Sequence, residues 1–222
     1  MTELLPPPSD SSLEEIHERT YLVKAYYKSK DSMIVRGAVR DFKPAGLYVP
    51  DDPEPLPVHH MIVALEISYP NMVITDATVE LEVTPHLGCQ RITDHYKNLI
   101  GLSIARGFTH KVRELFGGPR GCTHTTALLQ AMAPVAIQSV WSMNAVGVRD
   151  GIDLPAVPRG TREERLAAMR FNLNTCHIWD ENGEMANIVA DGGDIGLPLW
   201  IEDRYAKLGR NPIEWRKRMG NE

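Results

Sequence analysis

With 222 residues, the chain has room for one large domain or for a core domain with extensions, and a formal charge of −5 with an isoelectric point near 5.9 excludes the basic footprint of a nucleic-acid binder. Three cysteines, Cys89, Cys122 and Cys176, are too few and too odd in number for a disulfide framework, and no apolar run reaches the roughly eighteen residues of a membrane span. The start is acidic and Pro-rich without the apolar stretch of a signal peptide, so the composition predicts a cytoplasmic protein with reduced thiols.

Residues 1–12 read as a loose tail, and Leu13 to Glu18 as a short helical turn. Tyr21, Val23, Ala25 and Tyr27 alternate with other residues. Met33, Val35, Gly37 and Val39 do the same after Lys30-Asp31-Ser32, and this period of two predicts a hairpin. It closes at Asp41-Phe42-Lys43, where Asp41 and Lys43 are expected to form a structural ion pair. A Pro-rich loop follows from Pro44 to Pro57. Two more strands, His59 to Tyr69 and Val73 to Val83, flank the turn at Pro70-Asn71. Helices are expected from Cys89 to Ile100, from Phe108 to Phe116 and from about Thr123 to Trp141.

Gly147 to Gly160 reads as a linker or lid. Thr161-Arg162-Glu163-Glu164 is a capping box that starts a helix running to about Phe171. Asp180-Glu181-Asn182-Gly183 is a turn after which Met185 to Val189 returns as a strand. Asn211 as N-cap and Pro212 at the first helical position mark a last helix. The fold class is therefore α+β, an antiparallel sheet packed against helices. The expected organisation is a flexible tail (1–12), a single domain (13–189) and a Trp-containing C-terminal tail (190–222). That tail packs on the core or on a partner subunit, and a homo-oligomer is expected.

The chemistry concentrates at Gly117-Gly118-Pro119-Arg120-Gly121-Cys122-Thr123-His124. A Gly/Pro loop there delivers Cys122 and His124 to a helix N-terminus, whose unpaired N–H groups and dipole favour a thiolate. A thiol and an imidazole together suit a soft metal or nucleophilic chemistry. His59 opens a strand after the Pro-rich loop, and Cys89 follows the Pro85–Gly88 break, so His59, Cys89, Cys122 and His124 form a candidate set for zinc or iron. The catalytic candidates are His124, Cys122 and His59. Arg120 is a candidate for an anionic substrate, and Tyr27 and Trp141 are candidates for lining an apolar pocket. Cys176-His177 stays open as a further pair. His86, His95 and His110 are expected to face solvent. No phosphate loop or dinucleotide fingerprint is present, so no nucleotide cofactor is expected.

Several separated segments carry a resemblance to a known family. They are His17-Glu18-Arg19, Asp41-Phe42-Lys43, His59 with Met61, Ile74-Thr75-Asp76-Ala77, Pro85 with Cys89, Gly101-Leu102, Gly107-Phe108, Gly121-Cys122-Thr123-His124 and Thr175-Cys176-His177. On them the stretch Ile16–Val189 resembles bacterial proteins grouped as domain-of-unknown-function family 2889. The Gly-Cys-Thr-His segment is the most specific, and the family name implies no activity. The chain departs from the family's pattern at Ala127 and His60, where acidic residues are expected. A more distant similarity is to U-type iron–sulfur scaffold proteins, through Met61–Ile67, Ile74-Thr75-Asp76-Ala77, Gly88-Cys89 and Gly121-Cys122 in that order. That similarity implies that Cys89 and Cys122 meet in space, with His59 or His60 as a third ligand.

The leading expectation is a small-molecule enzyme of the lyase type, cleaving by elimination or a retro-aldol route, with aromatic compounds among its candidate substrates and a hydrolase as second choice. A neutral imidazole would act as base and a metal as Lewis acid. Two alternatives stand beside it: a zinc or iron–sulfur handling protein, and a non-catalytic interaction module using the Trp-rich tail. Neither nucleic acid nor membrane is expected as a partner.

Overall fold

The computed structural model describes residues 4–152 and 160–219. Residues 153–159 of the expected linker lie outside these residues, as do the first three residues of the expected tail. The chain divides into two compact units, Met1–Ala136 and Ile137–Glu222.

The first unit is built on a four-stranded antiparallel sheet. Its strands are β1 (Glu18–Ser29), β2 (Ser32–Lys43), β3 (Leu56–Ser68) and β4 (Ile74–Val83), in the order β1-β2-β3-β4. Alternation decides the faces. Met33, Val35, Val39, Met61, Val63, Leu65, Ile67, Ala77 and Leu81 are buried on one side. The predicted period-two runs are thus the strands observed. Leu13 to Glu18 forms no helical turn: residues 13–17 are irregular and exposed, and Glu18 already pairs with Phe42 as the first residue of β1. With no apolar stripe to bury, that segment gains nothing from a helix.

After β4 the expected helix is present as a 3-10 helix, Leu87–Leu99. Its inward residues Thr93, Tyr96 and Leu99 recur every third position, the period of a 3-10 helix, and Tyr96 and Leu99 are buried. Helix α1 (Phe108–Phe116) buries Phe108, Val112 and Phe116 at helical spacing. Helix α2 (Thr123–Arg149) begins where expected but continues beyond Trp141. Buried Ala136, Val140 and Met143 extend its stripe, and the exposed Pro134 is accommodated inside it. The first turns of α2 lie on β2. A Cβ at Gly37 would come within 2.9 Å of the Met132 side chain and 3.0 Å of Leu128, so the absence of a side chain there lets the helix approach the sheet.

The second unit contains the end of α2 and four short helices: α3 (Arg162–Ala168), α4 (Glu184–Ala190), α5 (Leu199–Lys207) and α6 (Ile213–Arg218). The capping box at Thr161 is formed in full, although α3 ends before Phe171. Met185 to Val189 is not a strand but most of α4: Ala186 and Ala190, four apart, are its buried residues, and Arg162 on α3 reaches Asn187 at 2.6 Å and Asp191 at 2.5 Å. The last helix starts one residue later than expected, with the Asn211 side chain accepting from the Ile213 N–H at 3.0 Å. Among the described residues, no helix is long and apolar enough to cross a membrane.

Candidate metal centre

The centre of the site is a buried carboxylate. Asp41 is 1 % exposed near the end of β2, on the same side of the sheet as Val39 and Val35. Strand register sets its neighbours, because Arg19 stands directly across from it on β1 and His59 directly across on β3. The Arg19 guanidinium binds it in a fork, Nε to Oδ1 at 2.6 Å and the terminal nitrogen to Oδ2 at 2.7 Å. His59 Nδ1 lies 3.0 Å from Oδ2. His124, on the first turn of α2, brings Nε2 to 3.3 Å from the same oxygen. The two imidazoles stack with ring centroids 3.8 Å apart. His17, just before β1, places Nε2 3.9 Å from Oδ1.

Asp41, His59 and His124 each offer one ligand atom, and these atoms lie within 4.8 Å of one another. Two imidazole nitrogens and a carboxylate oxygen form a donor set that suits zinc or iron, while the remaining carboxylate oxygen keeps the Arg19 Nε contact as an outer support. The electrostatics agree. Burial opposes the charge on Asp41, yet the Arg19 hydrogen bonds and charge, with His59 and His124, hold its carboxyl down to about 2. Burial lowers the His124 imidazole from its ordinary value, and the charges of His59 and Arg19 lower it further against the pull of Asp41. His124 is therefore neutral near pH 7, the form a metal requires.

The other ring nitrogen of His124 faces a thiol, with Cys122 Sγ 3.8 Å from Nδ1. The turn carrying Cys122 is held from below by Tyr96. Its hydroxyl oxygen accepts the Cys122 N–H at 2.8 Å, and its ring stacks on Phe116 at 4.7 Å. Burial raises the Tyr96 phenol from its ordinary value, so it stays protonated. Gly121 passes so close to the Phe116 carbonyl and Cβ that any side chain there would collide with them.

Cys89 joins no group of three or more potential ligands among the described residues. Tyr27, 40 % exposed, sits at the hairpin end of β1, about 26 Å along the strand from Arg19 at roughly 3.3 Å per residue. Trp141 belongs to the second unit and is exposed. Arg120 turns back to cap α1, donating to the Glu114 carbonyl at 2.8 Å and the Arg113 carbonyl at 3.3 Å. His177 and Cys176 are exposed in the second unit. His95 is half-buried rather than solvent-facing, with Nε2 3.2 Å from the Leu115 carbonyl and its ring edge-on to Phe116. The expected Asp41–Lys43 ion pair is replaced by Asp41–Arg19, and Lys43 instead lies over the Tyr48 ring. Asp41, Arg19 and His17 are the residues that reasoning from type and spacing passed over. The signal for them was their place in two of the segments that carry the family resemblance.

A family model described as protein of unknown function, DUF2889, matches residues 17–138. The chain belongs to this family. The matched span opens at His17 and contains the whole site, including Arg19, Asp41, His59, Cys122 and His124. No curated protein and no solved structure gives a match, so the similarity to iron–sulfur scaffolds finds no counterpart there.

Proposed function

We propose that the chain is a metal-dependent enzyme acting on small molecules, of the lyase type, with Asp41, His59 and His124 as the protein ligands of zinc or iron(II). The observation that carries this reading is the convergence of three ligand atoms, one charged and one held neutral, within 4.8 Å of one another. His59 and His124 are each about one-fifth exposed, so the cluster is reachable from solvent. A bound divalent ion would supply a Lewis acid that polarises a carbonyl. In a retro-aldol cleavage the remaining work falls to a base that takes the proton of a β-hydroxyl. The carbon–carbon bond then breaks to an aldehyde and an enolate, and the enolate is reprotonated. His17, 36 % exposed at the rim and outside the ligand set, is the group assigned to that proton. Arg19 locks the orientation of Asp41, and Cys122 faces the far side of His124.

The test is to load the purified protein with zinc or iron(II) and screen aromatic β-hydroxy carbonyl compounds for released aldehyde, with an ester panel beside them. Aldehyde release that falls at least about a hundredfold in His17→Ala supports the lyase assignment. Ester turnover alone moves it to a hydrolase.

The 3.8 Å approach of Cys122 to His124 supports a second reading, in which Cys122 is the nucleophile, His124 the base and Asp41 the group that orients it. It predicts turnover that survives chelation and is abolished by alkylation of Cys122.

A further inference from the structure

Arg19 and Tyr21 are two residues apart on β1, so they share a face of the strand. Tyr21 stands across from Val39 as Arg19 stands across from Asp41, and Val39 and Asp41 are buried on the side of β2 that carries the site. The phenol and the guanidinium are therefore neighbours beside the metal cluster. Tyr21 is 39 % exposed and the Arg19 side chain 33 %, against 1 % for Asp41. Both can meet a molecule that arrives from solvent, and Asp41 cannot.

A guanidinium has five N–H donors. Two of those of Arg19 go to the Asp41 carboxylate. The hydrogen bonds to Asp41 raise the guanidinium above its ordinary value against its partial burial, and a side-chain hydrogen bond with Tyr21 adds to the rise. Arg19 is thus charged, with donors left over on a side chain open to water. A phenol that accepts from a guanidinium still has its own O–H to donate. The pair offers hydrogen-bond donors from two side chains to one outside acceptor, and one of the two carries a positive charge.

Charge says what that acceptor is. Asp41 is the single carboxylate in the group of possible ligands, and Arg19 already offsets it. The next acid along the strand, Glu18, lies on the other face of β1, where it accepts from the Thr20 hydroxyl at 2.7 Å. Imidazoles that ligate a metal are neutral. A divalent ion at Asp41, His59 and His124 would therefore leave its two positive charges unbalanced by the ligand group, and an anionic substrate balances them best. The two coplanar oxygens of a carboxylate match a planar guanidinium. We propose that Arg19 and Tyr21 form a carboxylate subsite, so that the substrate is a β-hydroxy carbonyl compound that also carries a carboxylate. This deepens the metal-dependent reading above and rests on it. Tyr21 is a substrate-binding residue in this assignment, outside the ligand set and outside the proton transfer given to His17.

The experiment is isothermal titration calorimetry on the full chain, with benzoate and its neutral isostere benzamide as probes. Wild type and Tyr21→Phe are each measured zinc-loaded and metal-free, and the zinc content of each loaded sample is determined. Tyr21→Phe removes one exposed hydroxyl and keeps the ring, and circular dichroism checks its fold. The zinc-loaded wild type is expected to bind benzoate at least about tenfold more tightly than benzamide, because only the anion gains a charge-assisted hydrogen bond. Tyr21→Phe is expected to weaken benzoate at least about fivefold and to keep its zinc in full. Bound zinc with no preference for benzoate, or with a preference that Tyr21→Phe leaves unchanged, would overturn the subsite while the metal reading stands. A wild type that takes up no zinc defeats the metal reading instead. The metal-free titrations then decide alone: benzoate binding weakened by Tyr21→Phe supports the subsite, and its absence overturns it.

Discussion

Arg19 and Asp41 form the pair on which the site is hung. The Asp41 carboxyl lies near 2 against an ordinary value near 3.8, so the folded state releases its proton more readily than the unfolded state. Its contribution to stability is therefore complete above the ordinary value and fades as the pH falls toward 2. Arg19→Met removes the main cause of the depression. The variant is expected to lose on the order of 2 kcal/mol in urea unfolding at pH 7, and the gap to wild type should shrink toward zero near pH 2. A gap that is unchanged at low pH would assign the loss to packing instead. His124 is lowered mainly by its burial, so protons compete for it only below its ordinary range.

At the scale of elements, the site is a meeting of three strand residues with one helix turn. Gly37 and Tyr96 set where that turn sits. Gly37→Val would push against Met132 and Leu128, and overpacking of this kind costs about 1–3 kcal/mol, to be read from the urea midpoint with the secondary structure retained. Tyr96→Phe leaves the Cys122 N–H without its partner and is expected to cost about 1–2 kcal/mol and to weaken zinc binding severalfold, because the Cys122–His124 turn loses its anchor. Stability lost with zinc affinity unchanged would show that Tyr96 holds the fold but not the site.

The same elements show what could be read in the sequence. The hairpins were legible because Val35, Gly37 and Val39 alternate with outward residues over a long run. The N-terminus of α2 was legible because a Gly-rich loop precedes an apolar stripe. Met185 to Val189 was misread because five residues satisfy a short strand and a short helix equally, and only the packing of Ala186 and Ala190 decides between them. His59 and His124 could be chosen by residue type. Their shared partner Asp41 could not, because its pairing with Arg19 spans 22 positions and depends on strand register, which spacing along the chain does not encode. Tyr27 was chosen for its chemistry alone, and nothing local in the sequence tells how far it lies from a loop elsewhere.

At the scale of the whole molecule, the site and the family match fall within the first unit and its helix α2, and they use one face of the sheet. The proposed chemistry rests on a metal held by Asp41, His59 and His124. The most direct test is the metal content of freshly purified protein by mass spectrometry, beside His124→Ala and a conservative Asp41→Asn variant checked for folding. About one zinc or iron per chain is expected in the wild type, with a loss of at least about tenfold in affinity in each variant. A folded wild type that binds neither metal, even when loaded, or variants that retain the metal in full, would contradict it and leave Cys122, His124 and Asp41 to be weighed as a thiol, base and orienting carboxylate.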